Sequence, residues 1–283
     1  MGRAKEIIVK VIPSKIANDF VKKHHYSGKV VRNSSLHFGA FLDGKLHGVM
    51  SYGSPLDKRK VLPLVQPSLW NEMLELNRMA FDDYLPKYSE SRCFSISIKL
   101  LKKNAPHIKW ILSFSDGTQC GDGTIYRASG FVLTGLNKNT QIWEAPSGEQ
   151  FSRMSLTDGR SKQQQQQAKK VISRTTTKGK HILENGGASM KMYINDGWKP
   201  KQGFQLRYIY LIDKTCKISV PILPFSKIDE MGAGMYKGKK ISLAERQTSD
   251  SSIAANAADF QLAEEGQHHP IAQINDTKTA YAI

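Results

Sequence analysis

The sequence is poor in cysteine and has no long hydrophobic run. Its three cysteines, Cys93, Cys120 and Cys216, are scattered and form no CxxC pair. This spacing argues against a disulfide framework or a cysteine-rich zinc site and fits a reducing compartment. No stretch reaches the ~18 apolar residues of a membrane span. The N-terminal MGRAKEIIVKVIPSK also lacks the apolar core of a secretory signal. We therefore expect a cytoplasmic protein with no membrane segment.

Acidic residues are few relative to basic ones. The 283 residues contain 41 lysines and arginines against 25 aspartates and glutamates, which gives a formal net charge of +16 and a pI near 9.7. A charge of this size predicts long-range attraction to polyanions. Nucleic acid is the first candidate partner and an anionic membrane surface is the second. A basic protein with no polyanionic partner is the alternative.

Hydrophobic periodicity predicts alternating strands and helices. Ser14 and Ser89 are candidate N-caps, Gly28 is a candidate helix end, and Asp43-Gly44 between two apolar runs is a strong hairpin signal. These hairpin and βα units predict an α/β fold in which helices pack on one mixed sheet. The predicted ranges are a strand at 6–12, a helix from 14 toward 28, hairpin strands at 36–42 and 46–53, a strand at 74–81, a helix at 89–103, and strands at 108–115, 131–135, 140–145 and 204–212.

The character of the sequence changes after about residue 157. Residues 160–180 hold seven basic residues, no acidic residue and a glutamine run, which predicts a flexible segment that follows a nucleic-acid backbone. We expect a core at 1–157, a basic Gln-rich insert at 158–203, strands at 204–240 that complete the core, and a disordered tail at 241–283. The candidate phosphate-binding residues are Lys162, Lys169, Lys170, Arg174, Lys178 and Lys180.

A first group of candidate site residues follows the strand at 108–115. Asp116 lies where that strand ends, and Tyr126 lies on a short helical turn just after it. Ligands of open α/β sheets gather at the carboxyl ends of strands. A carboxylate there can act as a base and a phenol can protonate a leaving group. The structural alternatives are a turn-forming aspartate and a tyrosine packed on the sheet.

A second group combines the stretch HHYS at 24–27 with an arginine inside a strand pattern. Histidine titrates near neutrality and can move protons, so His25 and Tyr26 are candidates beside a helix end. Arg78 alternates with apolar residues, and it must therefore pair with an acid such as Glu75 or face a cleft. A metal site at His24 and His25 lacks a carboxylate at suitable spacing, so we expect none.

Several motifs, taken together and in order, resemble a known family. The arrangement YxxxGF after a strand and a turn is similar to a late signature of the GNAT acyltransferase superfamily. Five motifs occur together and in order, namely HYSG at 25–28, NSSLHFGAF at 33–41, ELNRMAF at 75–81, SFSDG with GTIYRASGF at 113–131, and VPILPFSKIDEMGAGMYKG at 220–238. This combination resembles the phage Mom DNA-modification family, a GNAT-like group.

The resemblance implies a fold, a reaction and a set of residues. The implied fold is a GNAT-like, mostly antiparallel mixed sheet flanked by helices. The implied reaction adds a carbamoylmethyl group to the exocyclic N6 amine of adenine in double-stranded viral DNA, in the cytoplasm of a bacterial host, and so blocks restriction enzymes. The implied catalytic residues are His25, Tyr26, Arg78, Asp116 and Tyr126, with Ser27, Asn33 and Ser115 as neighbours in the substrate site.

The group donor is a separate question. The stretch DDYLPKYSESR at 82–92 has no glycine where GNAT acetyltransferases carry a loop that cradles the CoA pyrophosphate. A carrier of activated glycine, such as glycyl-tRNA, is therefore expected in preference to acetyl-CoA. The alternatives are an acetyl-CoA-dependent N-acetyltransferase acting on another amine and a nucleic-acid-binding protein without catalysis.

Overall fold

The computed structural model describes residues 3–156, 166, 190–242 and 244–245. The chain divides into two units, with the boundary between Lys240 and Ile241. In the second unit, the described contacts join the Ser242 backbone N–H and hydroxyl to the Glu245 carboxylate, both at 2.7 Å. The expected tail beyond Glu245 lies outside the described residues. No helix in the described ranges is long and apolar enough to cross a membrane.

A seven-stranded sheet forms the centre of the first unit, in the order β1-β2-β3-β5-β6-β11-β7. Every neighbouring pair is antiparallel except β5 and β6, which are parallel. The predicted α/β fold, with a mostly antiparallel mixed sheet flanked by helices, is confirmed. The strands are β1 (Ile8–Val11), β2 (Ser34–Leu42), β3 (Lys45–Gly53), β5 (Met73–Phe81), β6 (Trp110–Asp116), β7 (Val132–Asn139) and β11 (Gly203–Leu211).

The helices and the remaining strands are short, apart from two helices. The helices are α1 (Ser14–His24), α2 (Lys58–Val61), α3 (Ser89–Asn104), α4 (Thr124–Ala128), α5 (Arg153–Leu156), α6 (Met190–Asn195) and α7 (Ser226–Glu230). Single 3₁₀ turns occur at Arg3–Glu6, Leu62–Leu64 and Trp70–Glu72. The minor strands are β4 (Val65–Gln66), β8 (Ile142–Glu144), β9 (Gln150–Ser152), β10 (Lys199–Pro200), β12 (Lys217–Ile218), β13 (Met235–Tyr236) and β14 (Lys239–Lys240).

The two long helices cover opposite faces of the sheet. Phe94, Ile98 and Leu101 of α3 join one buried cluster with the sheet. Ala17 and Val21 of α1 join another cluster on the other face. Because β5 and β6 are parallel, they need a crossover connection, and α3 supplies it. Helix α1 therefore ends on one face of the sheet, while α4 and α3 lie on the other.

Local signals located the turns well and the helix caps less well. Asp43 and Gly44 both have positive φ, 52° and 74°, in the hairpin turn between β2 and β3, as predicted. The predicted caps Ser14 and Ser89 are wrong by one residue, because Pro13 and Tyr88 hold the N-cap positions. Helix α1 ends at His24 rather than at Gly28.

A small satellite sheet lies beside the expected insert. Strands β10, β8 and β9 pair in that order, and Trp143, Tyr193 and Trp198 form the centre of its apolar cluster. Helix α6 and strand β10 fall within the range 158–203 that the sequence analysis assigns to the insert. The six candidate phosphate-binding residues between Lys162 and Lys180 lie outside the described residues.

Candidate active site

An opening between β5 and β6 organises the candidate site. Their parallel ladder runs from Met73–Leu76 opposite Trp110–Ser113. Both strands continue beyond it, because β5 stays paired with β3 and β6 stays paired with β11 as far as Asp116. Beyond this ladder, β5 and β6 are no longer hydrogen-bonded to each other. Arg78 and Asp116 lie in these second halves, on the two sides of the opening.

A β-bulge aims Arg78 into this space. In the ladder with β3, Ser51 lies opposite Arg78 and Tyr52 lies opposite Leu76, so Asn77 is the extra residue. Met73 packs with the apolar cluster on the face opposite α3, and Ala80 packs with the α1 cluster on that face. Glu75 lies two residues after Met73, and Arg78 lies two residues before Ala80, so each of them shares a face with that apolar residue. The bulge therefore places Glu75 and Arg78 on the same face of β5.

His25 caps the carboxyl end of α1 as an uncharged ring. Its Nδ1 accepts from the Ser27 backbone N–H at 3.2 Å and lies 2.8 Å from Ser27 Oγ. A neutral imidazole that accepts at Nδ1 carries its proton on Nε2. Burial, and then the Arg78 charge, lowers the pKa of His25 to about 4. Near neutral pH, His25 is therefore a hydrogen-bond donor through Nε2.

Tyr26 connects the end of α1 to the end of β6. Its hydroxyl donates to Asp116 Oδ2 at 3.4 Å, and its ring centroid lies 4.4 Å from that of His25. The other Asp116 oxygen accepts from the Thr118 backbone N–H at 2.9 Å. Loss of water, and then the Asp116 carboxylate, raises the pKa of Tyr26. The residue as a whole remains half exposed.

Arg78 holds the loop that follows α1. Its Nε donates to the Lys29 carbonyl at 2.9 Å and its Nη1 donates to the Asn77 carbonyl at 2.6 Å. Among the described ion pairs, none joins Arg78 to Glu75. The contacts therefore do not support the structural alternative, in which Arg78 forms an ion pair with Glu75. The guanidinium charge nevertheless acts on His25 and Glu75: it helps burial to lower the pKa of His25, and it opposes the rise that burial causes in the pKa of Glu75.

Tyr126 reaches the opening from the other face of the sheet. It lies on α4, whose N-cap, Gly123, has a φ of 87° and lies so close to Tyr208 that a Cβ would come within 2.5 Å of the ring. The Tyr126 ring packs against Tyr208 and Phe131, at 5.2 and 5.3 Å between centroids. Burial raises the pKa of Tyr126, and a hydrogen bond with Ser113 opposes this rise. The phenol is therefore protonated at neutral pH.

The opening allows groups from both faces to act on one another. Tyr126 contributes to the pKa of both Tyr26 and Arg78, and Cys120 contributes to those of Tyr26 and Tyr126. Direct contacts thus join His25, Tyr26 and Asp116, and electrostatic interactions link Arg78 to His25, Tyr26 and Tyr126. These are the five residues that the sequence analysis selects as catalytic.

Sequence reasoning missed a sixth polar group, Glu75. This carboxyl lies in the interior of β5, and burial raises its pKa to about 7. The sequence signal for this group is an acidic residue, Glu75, three positions before Arg78 in MLELNRMAF. Strict alternation would place residues 75 and 78 on opposite faces, so Glu75 stood only as a structural partner of the arginine.

The expected neighbours of the site make local contacts. Ser27 contacts His25, as described above, and Ser115 Oγ donates to the Gly121 carbonyl at 2.5 Å. Asn33 Nδ2 donates to the Ser54 carbonyl. Ser27 thus contacts a candidate catalytic side chain, whereas Ser115 and Asn33 hold backbone segments. Within the part of the chain that the structure describes, no group of three or more His, Cys, Asp or Glu side chains could hold a metal ion.

Comparisons with known proteins point to one family. A model described as the Mom protein family matches residues 6–227. The chain is 35% identical over 138 residues to a protein of Escherichia phage Mu named methylcarbamoylase mom. That alignment covers 48% of this chain and 57% of the relative, so the matched part spans less than two thirds of the relative's length.

Solved structures with some similarity include acetyltransferases. The ribosomal-protein-S18-alanine N-acetyltransferase of Escherichia coli is 9% identical with a TM-score of 0.38, covering 73% of this chain and 94% of that chain. A GNAT-family acetyltransferase of Streptococcus pneumoniae is 13% identical with a TM-score of 0.33, covering 47% of this chain and 88% of that chain. TM-scores this low carry no information about the reaction of this chain.

Proposed function

We propose, from the premise that this chain belongs to the Mom protein family, that it is a transferase that modifies a base of DNA. The observation that carries the proposal is the hydrogen bond from Tyr26 to Asp116 beside the opening between β5 and β6, together with the electrostatic links of Tyr26 and Arg78 to Tyr126. The phage Mu relative is named a methylcarbamoylase. The proposed substrate is accordingly the exocyclic N6 amine of adenine, and the proposed product carries a carbamoylmethyl group.

The adenine amine needs a base, because its lone pair is delocalised into the ring. Asp116 and Glu75 are the carboxyl groups beside the opening. Asp116 holds Tyr26 and the Thr118 N–H, so it is suited both to accept a proton and to position Tyr26. Glu75, with a pKa of about 7, is partly ionised near neutrality, which is the range in which a general base works best. Variants of the two carboxyls distinguish their roles.

The leaving group needs a proton, and Tyr126 is the proposed donor. Its phenol stays protonated at neutral pH because burial raises its pKa. Arg78 supplies a positive charge that acts on Tyr26 and Tyr126, and it is proposed to stabilise the oxyanion or to hold a phosphate. Each such interaction is worth about 10²–10³ in rate in enzymes of known mechanism.

The opening also supplies groups that suit a nucleobase. His25 offers a donor at Nε2, and the half-exposed Tyr26 ring offers a stacking surface beside it. Because the site lies between two strands of a sheet, a base must leave the duplex to enter it. The proposed pocket therefore binds an extruded adenine with one hydrogen bond and one stacked ring.

The proposed donor is an aminoacyl ester of glycine. The turn between β5 and α3 contains no glycine, and its last residue, Tyr88, has a φ of 68°. Side chains at this turn oppose the close backbone approach that a pyrophosphate needs. This supports a carrier such as glycyl-tRNA over acetyl-CoA.

The proposed steps balance without a further reactant. The N6 amine attacks the glycyl carbonyl while a carboxylate takes its proton, and the ester oxygen of the carrier leaves with a proton from Tyr126. The glycyl amine then attacks C6, the C6–N6 bond breaks, and the proton that the amine gives up passes to the departing N6. The former N6 becomes the carboxamide nitrogen of a carbamoylmethyl group. Restriction enzymes read the N6 amine in the major groove, so this product would protect the DNA.

Purified protein incubated with duplex DNA and one donor at a time tests this proposal. Nucleosides from the DNA are analysed by mass spectrometry after digestion. Glycyl-tRNA should yield a deoxyadenosine heavier by one glycyl unit, and acetyl-CoA should yield no adduct. Adduct formation from acetyl-CoA alone would contradict the proposed donor, and no adduct from any donor or in expressing cells would contradict the proposed function.

A further inference from the structure

A short basic hairpin follows α7 at the end of the first unit. Strands β13 and β14 pair Met235 with Lys240 and Tyr236 with Lys239. The turn residues Lys237 and Gly238 have φ values of 46° and 78°, which is the backbone pattern of a tight two-residue hairpin turn. We call residues 235–240 the basic hairpin. The family match ends at residue 227 and does not include it.

The basic hairpin is anchored to the loop that joins β6 to α4. The Asp122 N–H donates to the Met235 carbonyl and the Met235 N–H donates to Asp122 Oδ2, both at 2.9 Å. The Gly238 N–H donates to the Cys120 carbonyl at 2.6 Å. Asp122 is fully buried and also pairs with Arg127 Nη2 at 3.3 Å. The position of the hairpin relative to this loop is therefore fixed.

This loop is part of the candidate site. Cys120 lies between Asp116 and Tyr126 in the chain and acts electrostatically on Tyr26 and Tyr126. Four residues of chain span at most about 14 Å, so the anchor at Cys120 lies within that distance of the Asp116 backbone. The basic hairpin is thus attached to the rim of the opening between β5 and β6.

The outer surface of the hairpin is basic and aromatic. Lys237, Lys239 and Lys240 are exposed, and Tyr236 is 52% exposed. No acidic residue occurs from Met231 to Ser242. Among the described ion pairs none involves these lysines, and the nearest described contact places Lys237 Nζ 6.0 Å from the Tyr236 ring centroid. The surface therefore carries uncompensated positive charge beside an aromatic ring.

We propose that the basic hairpin is a DNA-contact element of the candidate site. Its lysines bind phosphates of the strand that carries the target base, and Tyr236 packs against a neighbouring base that loses its stacking partner when the target is extruded. Lysine neutralises phosphate charge, and aromatic rings stack on unstacked bases. The inference rests on the proposed function, because a DNA substrate with an extruded base would bring phosphates and an unstacked neighbouring base to this rim together.

A charge variant with a matched control tests the phosphate contacts. Lys237, Lys239 and Lys240 are replaced together by Gln, and the control replaces Lys99, Lys102 and Lys103 of α3 by Gln. The control removes the same charge at the other end of β6, because α3 leads into the start of that strand. Duplex binding is measured over a range of salt concentrations. The hairpin variant should lower the slope of log Kd against log salt by up to ~3, at about 0.9 for each lost phosphate contact.

The control variant should keep most of the wild-type slope. Equal slopes for the hairpin variant and the α3 control would overturn the proposal. The same titration with uncharged tRNA separates the two nucleic acids. If the hairpin variant binds tRNA more weakly but binds duplex DNA like the wild type, then the hairpin contacts the donor carrier. This result would also overturn the proposal.

Tyr236 variants test the stacking contact. Tyr236→Ala should weaken binding to duplex DNA that contains an unpaired base by roughly tenfold, whereas Tyr236→Phe should bind like the wild type. Unchanged binding by Tyr236→Ala, with an unchanged unfolding midpoint, would overturn the stacking role. If wild-type protein neither binds nor modifies DNA, then the proposed function fails. If the wild type does both and the hairpin variants match it, then only this inference fails.

Discussion

At the scale of single residues, the candidate site combines groups that are uncharged near neutral pH with one permanent cation. Burial lowers the pKa of His25 to about 4 and raises that of Tyr126, so both side chains are neutral. Arg78 is the cation of the site and keeps its positive charge at all relevant pH values. Such a site suits a neutral nucleobase better than a charged one, and proton transfer then depends on the two carboxyl groups.

The first prediction concerns the acid. Tyr126→Phe removes the hydroxyl and keeps the ring that packs on Tyr208 and Phe131. If Tyr126 protonates the leaving group, then the single-turnover rate should fall by at least about a hundredfold. The unfolding midpoint should stay close to the wild-type value. A rate within threefold of wild type, on the order of the scatter between preparations, would remove Tyr126 from the acid role.

The second prediction concerns Glu75 and pH. If its ionised form is the base, then the rate should rise with pH through about 7, where this carboxyl loses its proton. Glu75→Gln should lower the rate and remove this inflection, whereas Asp116→Asn should lower the rate and leave the inflection in place. Rate profiles of the three proteins from acid to alkaline pH make the comparison. An inflection near 7 that survives in Glu75→Gln contradicts the assignment.

The same carboxyl predicts how stability depends on pH. The folded pKa of about 7 lies above the ordinary value of 4.5, so the folded protein binds more protons than the unfolded chain between these values. The contribution of Glu75 to stability therefore falls as pH rises through this window. His25 acts in the opposite direction, because its folded pKa of about 4 lies below 6.5. Glu75→Gln should gain unfolding free energy relative to wild type above pH 7 in denaturant titrations.

At the scale of elements, the bulge at Asn77 shows what could be predicted and what could not. The hairpin at Asp43-Gly44, the strand that carries Arg78 and the helical turn that carries Tyr126 follow from local sequence signals. The bulge depends on how β5 pairs with β3, which is a contact between distant parts of the chain. The sequence therefore indicated Arg78 and Tyr126 as site residues, and it indicated Glu75 only as a structural partner of Arg78.

The five site residues could be chosen because a family resemblance ordered the motifs. Periodicity alone left structural alternatives open for Asp116, Tyr126 and Arg78. Strands β5 and β6 separate after their short ladder, and helices α1 and α4 lie on opposite faces of the sheet. Both features depend on packing between distant parts of the chain. The electrostatic links of Arg78 to His25 on one side and to Tyr126 on the other depend on that packing, and no local signal specifies them.

The third prediction concerns the loop between β6 and α4. Asp122 is fully buried and binds Arg127 and the Met235 N–H. Asp122→Ala leaves a buried guanidinium without its acid, which costs about 3–5 kcal/mol in comparable proteins. Denaturant unfolding should show a loss of this order. The exposed pair Lys227–Glu230 is the control, because Glu230→Gln should cost less than about 1 kcal/mol. Equal effects of the two variants would show that the Asp122 contacts do not stabilise the fold.

At the scale of the whole molecule, the net charge of +16 is the dominant feature. Basic residues outnumber acidic ones both in the whole sequence and in the segment 160–180, whose seven basic residues lie outside the described residues. A protein of this charge should meet polyanions rapidly and bind them without sequence preference at low salt. Specificity for a base must then come from the opening between β5 and β6.

The fourth prediction concerns the basic segment. Replacing Lys162, Lys169, Lys170, Arg174, Lys178 and Lys180 together by Gln should reduce the salt slope of duplex binding by up to ~5, at about 0.9 for each phosphate contact. The rate at saturating DNA should change little, because these residues are proposed to bind phosphates rather than to act on the base. An unchanged slope would show that DNA is held elsewhere on the molecule.

The most direct test of the account is nucleoside mass spectrometry of DNA from bacteria that express this chain or its Tyr126→Phe variant. The account predicts a deoxyadenosine heavier by one glycyl unit in cells with the wild-type chain. It predicts that this species is nearly absent when an equal amount of the folded variant is present. Unmodified DNA from the wild-type culture, or equal modification in both cultures, would contradict the claim that the residues around the opening form a base-modifying site.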